Sequence, residues 1–290
     1  MKDKEFYYKE AFSRNIGLLS EEEQKKLASC KVAIAGMGAV GGLHLITLVR
    51  LGIGKFHIAD MDKFELANIQ RQYGANVNSM GMNKAEVMRD LALSINPHLD
   101  IKVFPGGISN ENMDEFLSGA DIAIDGIDFF SMDTRRLLFQ KAKEHNLYTL
   151  TAGPIGFGSA LLIFSPTGMS FDEYFDIKEK MNYLEKIVAF GVGLAPASIH
   201  MSYFKLDSIR LDTKKGPALA SACNLCSVFV ATETLNILLN RKTPKAVPFF
   251  LQFDPYMLKL KKGYLLFGNN NPIQKFKRWL LLKKLSSLNQ

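Results

Sequence analysis

The stretch Val32-Ala-Ile-Ala-Gly36-Met-Gly38-Ala-Val-Gly41-Gly42 restricts the fold more than any other part of this 290-residue chain. Its first four residues read as a short buried strand. The residues from Gly41 onward have helical spacing, so the glycines mark a tight strand-to-helix turn. Such a turn lets backbone N–H groups approach a phosphate, and the helix N-terminus adds a favourable positive potential. A second apolar run closes at Asp60, where a carboxylate is placed to accept hydrogen bonds from ribose hydroxyls. Gly36, Gly38, Gly41 and Asp60 are therefore candidate nucleotide ligands. Alone, they favour an NAD(P)-binding oxidoreductase over an ATP site.

The apolar patterning continues in alternation. Strand-like segments at 31–35, 56–59, 101–104, 122–124 and 148–152 are separated by helical ones at 41–51, 83–95, 113–117 and 134–143. This order predicts an α/β fold with a mostly parallel sheet and helices on both faces, because parallel neighbours need a crossover that returns the chain. Ser20-Glu-Glu-Glu23 has the form of a capping box and starts a helix to about residue 28. After Gly153-Pro154 the pattern changes. A strand at 159–164 is followed by a mixed helical segment to 204 and an exposed polar loop at 205–216. A long buried helix at 220–239 then precedes a hairpin over 247–254 and 257–262. The chain divides into an N-terminal helical segment (1–29), a nucleotide-binding core (30–165), a crossover with long helix and hairpin of the same domain (166–262), and a basic tail (263–290).

Charge separates that tail from the rest. Of 36 Lys/Arg, eight follow Asp254, whereas none of the 29 acidic residues does, so the net charge of +7 belongs to the tail. Residues 272–285 read in two ways: a basic amphipathic helix suited to an acidic partner, an anionic surface or nucleic acid, or a solvated terminal helix that docks Phe276 and Trp279 on its own core. The charged N-terminus lacks the apolar core of a signal peptide, and no window approaches 18 uncharged apolar residues, which points to the cytoplasm without a transmembrane span. Three cysteines are too few for a disulfide framework and fit a reducing compartment.

Beyond the glycine turn, Asp60-Met-Asp62-Lys-Phe-Glu-Leu-Ala-Asn68-Ile-Gln-Arg71-Gln72 and Gly81-Met-Asn-Lys84 resemble the signature of ThiF/MoeB-type, ubiquitin-activating-enzyme-like adenylyltransferases. Arg14, Asp125-Gly-Ile-Asp128, Arg135 and Gly153-Pro-Ile-Gly-Phe-Gly158 extend the similarity. The resemblance implies a Rossmann-like sheet with an antiparallel C-terminal extension, and an enzyme that uses ATP and Mg²⁺ to activate a carboxylate. The substrate would be the C-terminus of a small ubiquitin-like or sulfur-carrier protein, or of a peptide. By the same resemblance Arg71 and Lys84 would hold the phosphates, Asn68 and Gln72 would shape their pocket, and Asp128 would hold Mg²⁺. Arg14 would be an arginine finger reaching the site of the other subunit in a homodimer. Taken singly, Arg71 and Lys84 also read as solvated charges, and Asp128 as a helix cap.

Three departures from the family pattern matter. Cys223-Asn-Leu-Cys226 is one pair where many relatives carry two for zinc, and two thiolates do not fill a tetrahedral site. Residues 165–221 hold no cysteine, which removes thioester transfer from that position. Phe129-Phe130 stands where relatives often place Asn, leaving a catalytically silent binding subunit as an alternative. Cys223 and Cys226 themselves read either as thiolates activated at a helix start or as a small-residue packing face.

Overall fold

The computed structural model describes residues 3–288, with side chains to Ser286. Residues 1, 2, 289 and 290, the ends of the expected N-terminal segment and tail, lie outside the described residues. Two helices, α1 (Lys4–Ala11) and α2 (Glu21–Ser29), lead into the sheet. The expected capping box starts α2: Ser20 Oγ accepts from Glu23 N at 3.2 Å, and Glu23 Oε2 accepts from Ser20 N at 2.8 Å. The alternating part follows as β1 (Lys31–Ala35), α3 (Gly41–Arg50), β2 (Lys55–Ala59), α4 (Lys84–Ile95), β3 (Asp100–Phe104), α5 (Met113–Leu117), β4 (Ile122–Asp125), α6 (Met132–Glu144) and β5 (Tyr148–Ile155). The chain continues through β6 (Gly158–Phe164), α7 (Phe171–Phe175), α8 (Tyr183–Leu194), α9 (Ala220–Leu238), β7 (Phe249–Asp254), β8 (Lys259–Tyr264) and α10 (Pro272–Leu288).

The eight strands form one sheet in the order β3-β2-β1-β4-β5-β6-β7-β8. The first five are parallel and the last three antiparallel, matching the expected α/β class and its extension. Pleating divides the core. Val32 and Ile34 join Leu45, Leu48, Met88, Cys226 and Val230 beneath α3, α4 and α9. Ala33, Ala35, Ala59 and Ala123 turn the other way, and their small side chains let Phe116 of α5 and Leu138 of α6 pack close. A third cluster, rich in phenylalanine, joins β6 to α7 and α8 on that second face.

Four expectations need correction. First, β5 runs on to Ile155 because Gly153, Pro154 and Ile155 pair with Ala160, Ser159 and Gly158 in a tight hairpin with β6. Second, the 205–216 loop is exposed along most of its length, but it buries Leu206 and closes a turn with reciprocal backbone bonds between Arg210 and Lys215. Third, α9, expected as a buried helix, is covered on one side only; it has the length and composition of a membrane span, with Glu233 inside every 18-residue window of it. It is a core helix instead, with half of its apolar window buried and α3, β5 and β6 packed against it. Only that side is covered, since Asn224, Val228 and Thr232 are exposed.

The fourth correction concerns α10. Phe276 and Trp279 do not dock on the core; they remain 61% and 56% exposed. The helix is held by its other side. Gln274 and Leu285 are buried, Lys277 Nζ donates to Pro196 O at 2.6 Å, and Arg278 pairs with Asp176 at 2.7 Å.

Candidate nucleotide-binding site

Strand register assembles the site. Ala35 of β1 lies opposite both Ala59 of β2 and Asp125 of β4, so the chain leaves the sheet side by side at Gly36, Asp60 and Gly126. β1 is also where the connections diverge, to β2 and β3 on one side and to β4 and β5 on the other. Such a switch point opens a crevice at the carboxyl ends of parallel strands.

The glycines of the turn have different reasons to be there. Gly36 adopts φ +89°, and a Cβ on it would lie 2.3 Å from Gly126 O. A Cβ on Gly41 would lie 1.8 Å from Gly36 O. Both positions are set by backbone meeting backbone. Gly38 is different, since its nearest neighbour would be the Gln72 side chain at 3.7 Å. No side chain caps the N-terminus of α3, so its first turn is available to an anion. We expect Gly41→Ala to destabilise the fold by about 1–3 kcal/mol or more through overpacking. Gly38→Ala should leave chemical denaturation nearly unchanged and weaken nucleotide binding. Equal stability losses in the two variants would contradict this division.

Asp60 braces the turn. Its carboxylate accepts from Met37 N at 2.6 Å and from Asp62 N at 2.8 Å. Burial raises its pKa above the usual carboxylate range, against the pull of those hydrogen bonds and of nearby Lys84. Asn68 Oδ1 accepts from Glu65 N at 3.0 Å and closes the short turn that leads to Gln72. Gln72 is buried beside Gly38, and its Oε1 has no hydrogen-bond partner. An acceptor left unpaired there is costly and calls for a donor such as water or a nucleotide hydroxyl, while the NH₂ half of the same amide can donate to a phosphate oxygen.

Lys84, the first residue of α4, is buried with Nζ 3.0 Å from Asp62 Oδ2. Asn83 sets its position by capping α4 through Glu86 N at 3.1 Å and donating to Asp60 O at 3.2 Å. Asp62 and Asn83 are thus parts of the site to which sequence reasoning assigned no role. Their signal was their place in the quoted motif. Arg71 is half-buried and turned onto its own segment, donating to Ala67 O at 3.1 Å, and its charge reaches Cys223.

The β4–α6 loop supplies Asp128, whose carboxylate is exposed and, among the described residues, accepts from Phe130 N alone, at 2.9 Å. Mg²⁺ keeps much of its water and binds through one or two carboxylates together with substrate phosphates, so this arrangement fits the ion. Behind the loop is a buried clamp. Arg135 Nε donates to Asp125 Oδ2 at 2.8 Å, Nη2 to Ile127 O at 2.5 Å and to Asp128 O at 3.1 Å, and the guanidinium lies 4.4 Å over the Phe190 ring. Asp125 is consumed by this clamp; Asp128 is left free.

Arg14 is not brought to its own chain's site. It is exposed in a short turn whose Asn15 donates to Leu51 O, just past the C-terminal end of α3. Gly41 is at the other end of that helix, roughly 15 Å away at 1.5 Å per residue. Cys223 and Cys226 are buried, and Cys226 Sγ meets Ser159 Oγ at 3.0 Å. Burial pushes Cys223 up to about 11 and Cys226 higher still, so the packing-face reading holds and the thiolate reading does not.

A parallel sheet with a glycine turn, an acidic β2 terminus and a switch-point crevice defines a Rossmann-like nucleotide-binding fold. Among solved structures, that of MccB from E. coli with ATP aligns with a TM-score of 0.64 at 18% identity, covering 91% of this chain and 72% of that one. The ThiF family model matches residues 12–266, and the chain belongs to the ThiF family. Relatives include the sulfur carrier protein ThiS adenylyltransferase of Escherichia coli strain K12, 27% identical over 168 residues, or 57% of this chain. A probable molybdopterin-synthase adenylyltransferase of Porphyra purpurea is 36% identical over 109 residues, or 38% of this chain. The matched stretches span 65% and 28% of those two proteins.

Proposed function

We propose that this protein binds Mg·ATP in the switch-point crevice and adenylates a carboxylate. A carboxylate oxygen attacks the α-phosphorus, the bond to the bridging oxygen of the leaving group breaks, and pyrophosphate departs. No proton has to move in this step, so the protein's task is positioning and charge stabilisation. The observation that carries the reading is open Gly38 beside the buried Gln72 side chain, with Asp60 bracing the same turn and Lys84 close to Asp60.

Asp60 would receive the ribose hydroxyls, and the N-terminus of α3 the phosphates. Asn68 and Gln72 would shape the phosphate pocket. Lys84, released from Asp62, and Arg71, swung off Ala67, would hold the leaving pyrophosphate. Mg²⁺ held by Asp128 would neutralise phosphate charge. The carboxylate is the C-terminus of a ubiquitin-like or sulfur-carrier protein or of a peptide, a class supported by the ThiS adenylyltransferase relative. A reducing compartment such as the cytoplasm is compatible with three free, buried cysteines. The deciding assay is carboxylate-dependent ATP–pyrophosphate exchange over a panel of carrier proteins and peptides. Tight NADH binding in place of ATP would overturn the reading.

One observation favours a second reading. Phe129 packs against Phe130 and Phe190 beside the metal position, where a polar side chain would help seat a substrate. ATP binding without exchange against any carboxylate would make this a silent binding subunit.

The remoteness of Arg14 from its own crevice supports a homodimer in which each arginine serves the partner. Arg14→Ala and Asp128→Ala should each be inactive alone. Mixed heterodimers carrying one of each should regain up to about half of the wild-type rate per dimer, since one composite site is intact. Verified heterodimers without recovery would remove the finger from this mechanism.

A further inference from the structure

The outer side of α10 has no part in the nucleotide chemistry. Ile273, Phe276, Trp279 and Leu280 are all more than half exposed, and the three- and four-residue steps from 273 to 276 to 280 align them along one side of the helix. The Phe276 and Trp279 rings stack with centroids 5.8 Å apart, and Lys283 Nζ lies 5.7 Å over Trp279. Exposed Lys275 and Lys284 border the same stripe. Single exposed apolar residues are ordinary on soluble proteins; a contiguous aromatic stripe is an interaction surface.

We propose that this side of α10 docks on an anionic lipid surface, the helix lying in its plane with Phe276 and Trp279 among the headgroups and the lysines against lipid phosphates. Charge selects the occupant. No acidic residue follows Asp254, so a second copy of the helix would bring cation against cation. The Lys283 ammonium held over the Trp279 ring puts positive charge directly beside the apolar stripe, which suits an interface that grades from apolar to charged. The other side of α10 is anchored to α8, in the layer opposite α3 and α9. A single helix of this kind gives weak, reversible binding that concentrates the protein at a membrane.

Trp279 is the only tryptophan of the chain, so its emission reports on α10 directly. With the full-length protein, vesicles of phosphatidylcholine mixed with phosphatidylglycerol should shift the emission to the blue and carry the protein down on sedimentation, whereas phosphatidylcholine alone should do neither. Phe276→Ser combined with Leu280→Ser, and separately Lys275→Glu combined with Lys283→Glu, should each reduce partitioning about tenfold or more with unchanged thermal unfolding. Equal binding to both vesicle types would overturn the proposal, as would no shift with either. A blue shift on concentration without lipid, with doubled mass lost in the Phe276/Leu280 variant, would assign the stripe to a second copy instead. A shift produced by polyglutamate but not by vesicles would assign it to an acidic protein.

Discussion

Arg135→Ala is expected to lower the unfolding free energy by about 3–5 kcal/mol, because it strands the Asp125 carboxylate in the core. The pair is almost fully buried, at 3% and 1% side-chain exposure, and among the described residues the carboxylate's one other partner is Ile127 N at 3.1 Å. The guanidinium also satisfies carbonyl oxygens of Ile127, Asp128 and Phe129, so its loss frees the whole Asp128 loop. Lysine cannot reproduce this fork of donors, and Arg135→Lys should recover only part of the loss. Urea denaturation of the three proteins measures it. A loss below about 1 kcal/mol in Arg135→Ala would mean that water enters and solvates Asp125. The ion pair itself is not the source of stability, since an apolar pair of similar volume can do as well; the cost lies in breaking one half of it.

Asp128→Asn is expected to remove metal-dependent pyrophosphate exchange by at least about a hundredfold, comparable to deleting one strong electrostatic contact to a transition state. The asparagine oxygen can still accept from Phe130 N, so the loop turn is preserved and the melting temperature should stay within about 1–2 °C of wild type. The charge alone is removed. Exchange at the wild-type rate, or a wild-type Mg²⁺ requirement in the variant, would take the metal role away from Asp128. The two variants separate two jobs in one loop, Arg135 holding it and Asp128 presenting a charge from it. A large stability loss in Asp128→Asn would merge them again.

Much of this architecture was readable in the chain. Short continuous apolar runs and the helical crossovers between them made the five parallel strands legible, because a parallel strand buried on both faces is apolar on both. Ser20 announced its helix through capping chemistry that is local in sequence. The glycine turn was visible for the same reason. What was local stayed legible; what depended on distant partners did not. Gly36 and Gly41 looked alike beside Gly38 in the motif, yet they are glycines because Gly126 and Gly36 press on them, and only Gly38 is open. Asp125 and Asp128 stand three residues apart, and nothing in that spacing told which would be buried against an arginine ten residues on.

The amino-acid sequence by itself determined the order of strands and helices, the glycine turn, the acidic end of β2 and the concentration of positive charge after Asp254. Tertiary structure alone decided which side of α9 is covered and where Arg14 stands relative to its own crevice. It also decided that Gln72 is left with an unpaired oxygen, and that Phe276 and Trp279 face outward while Lys277 and Arg278 are held inward. The physical reason is that hydrophobic periodicity says how much of a helix is apolar but not which neighbour reaches it first. On α10 the pairing of Arg278 with Asp176 and the bonds of Lys277 to the 196–198 turn claimed the inner side, and the aromatic residues were left to water.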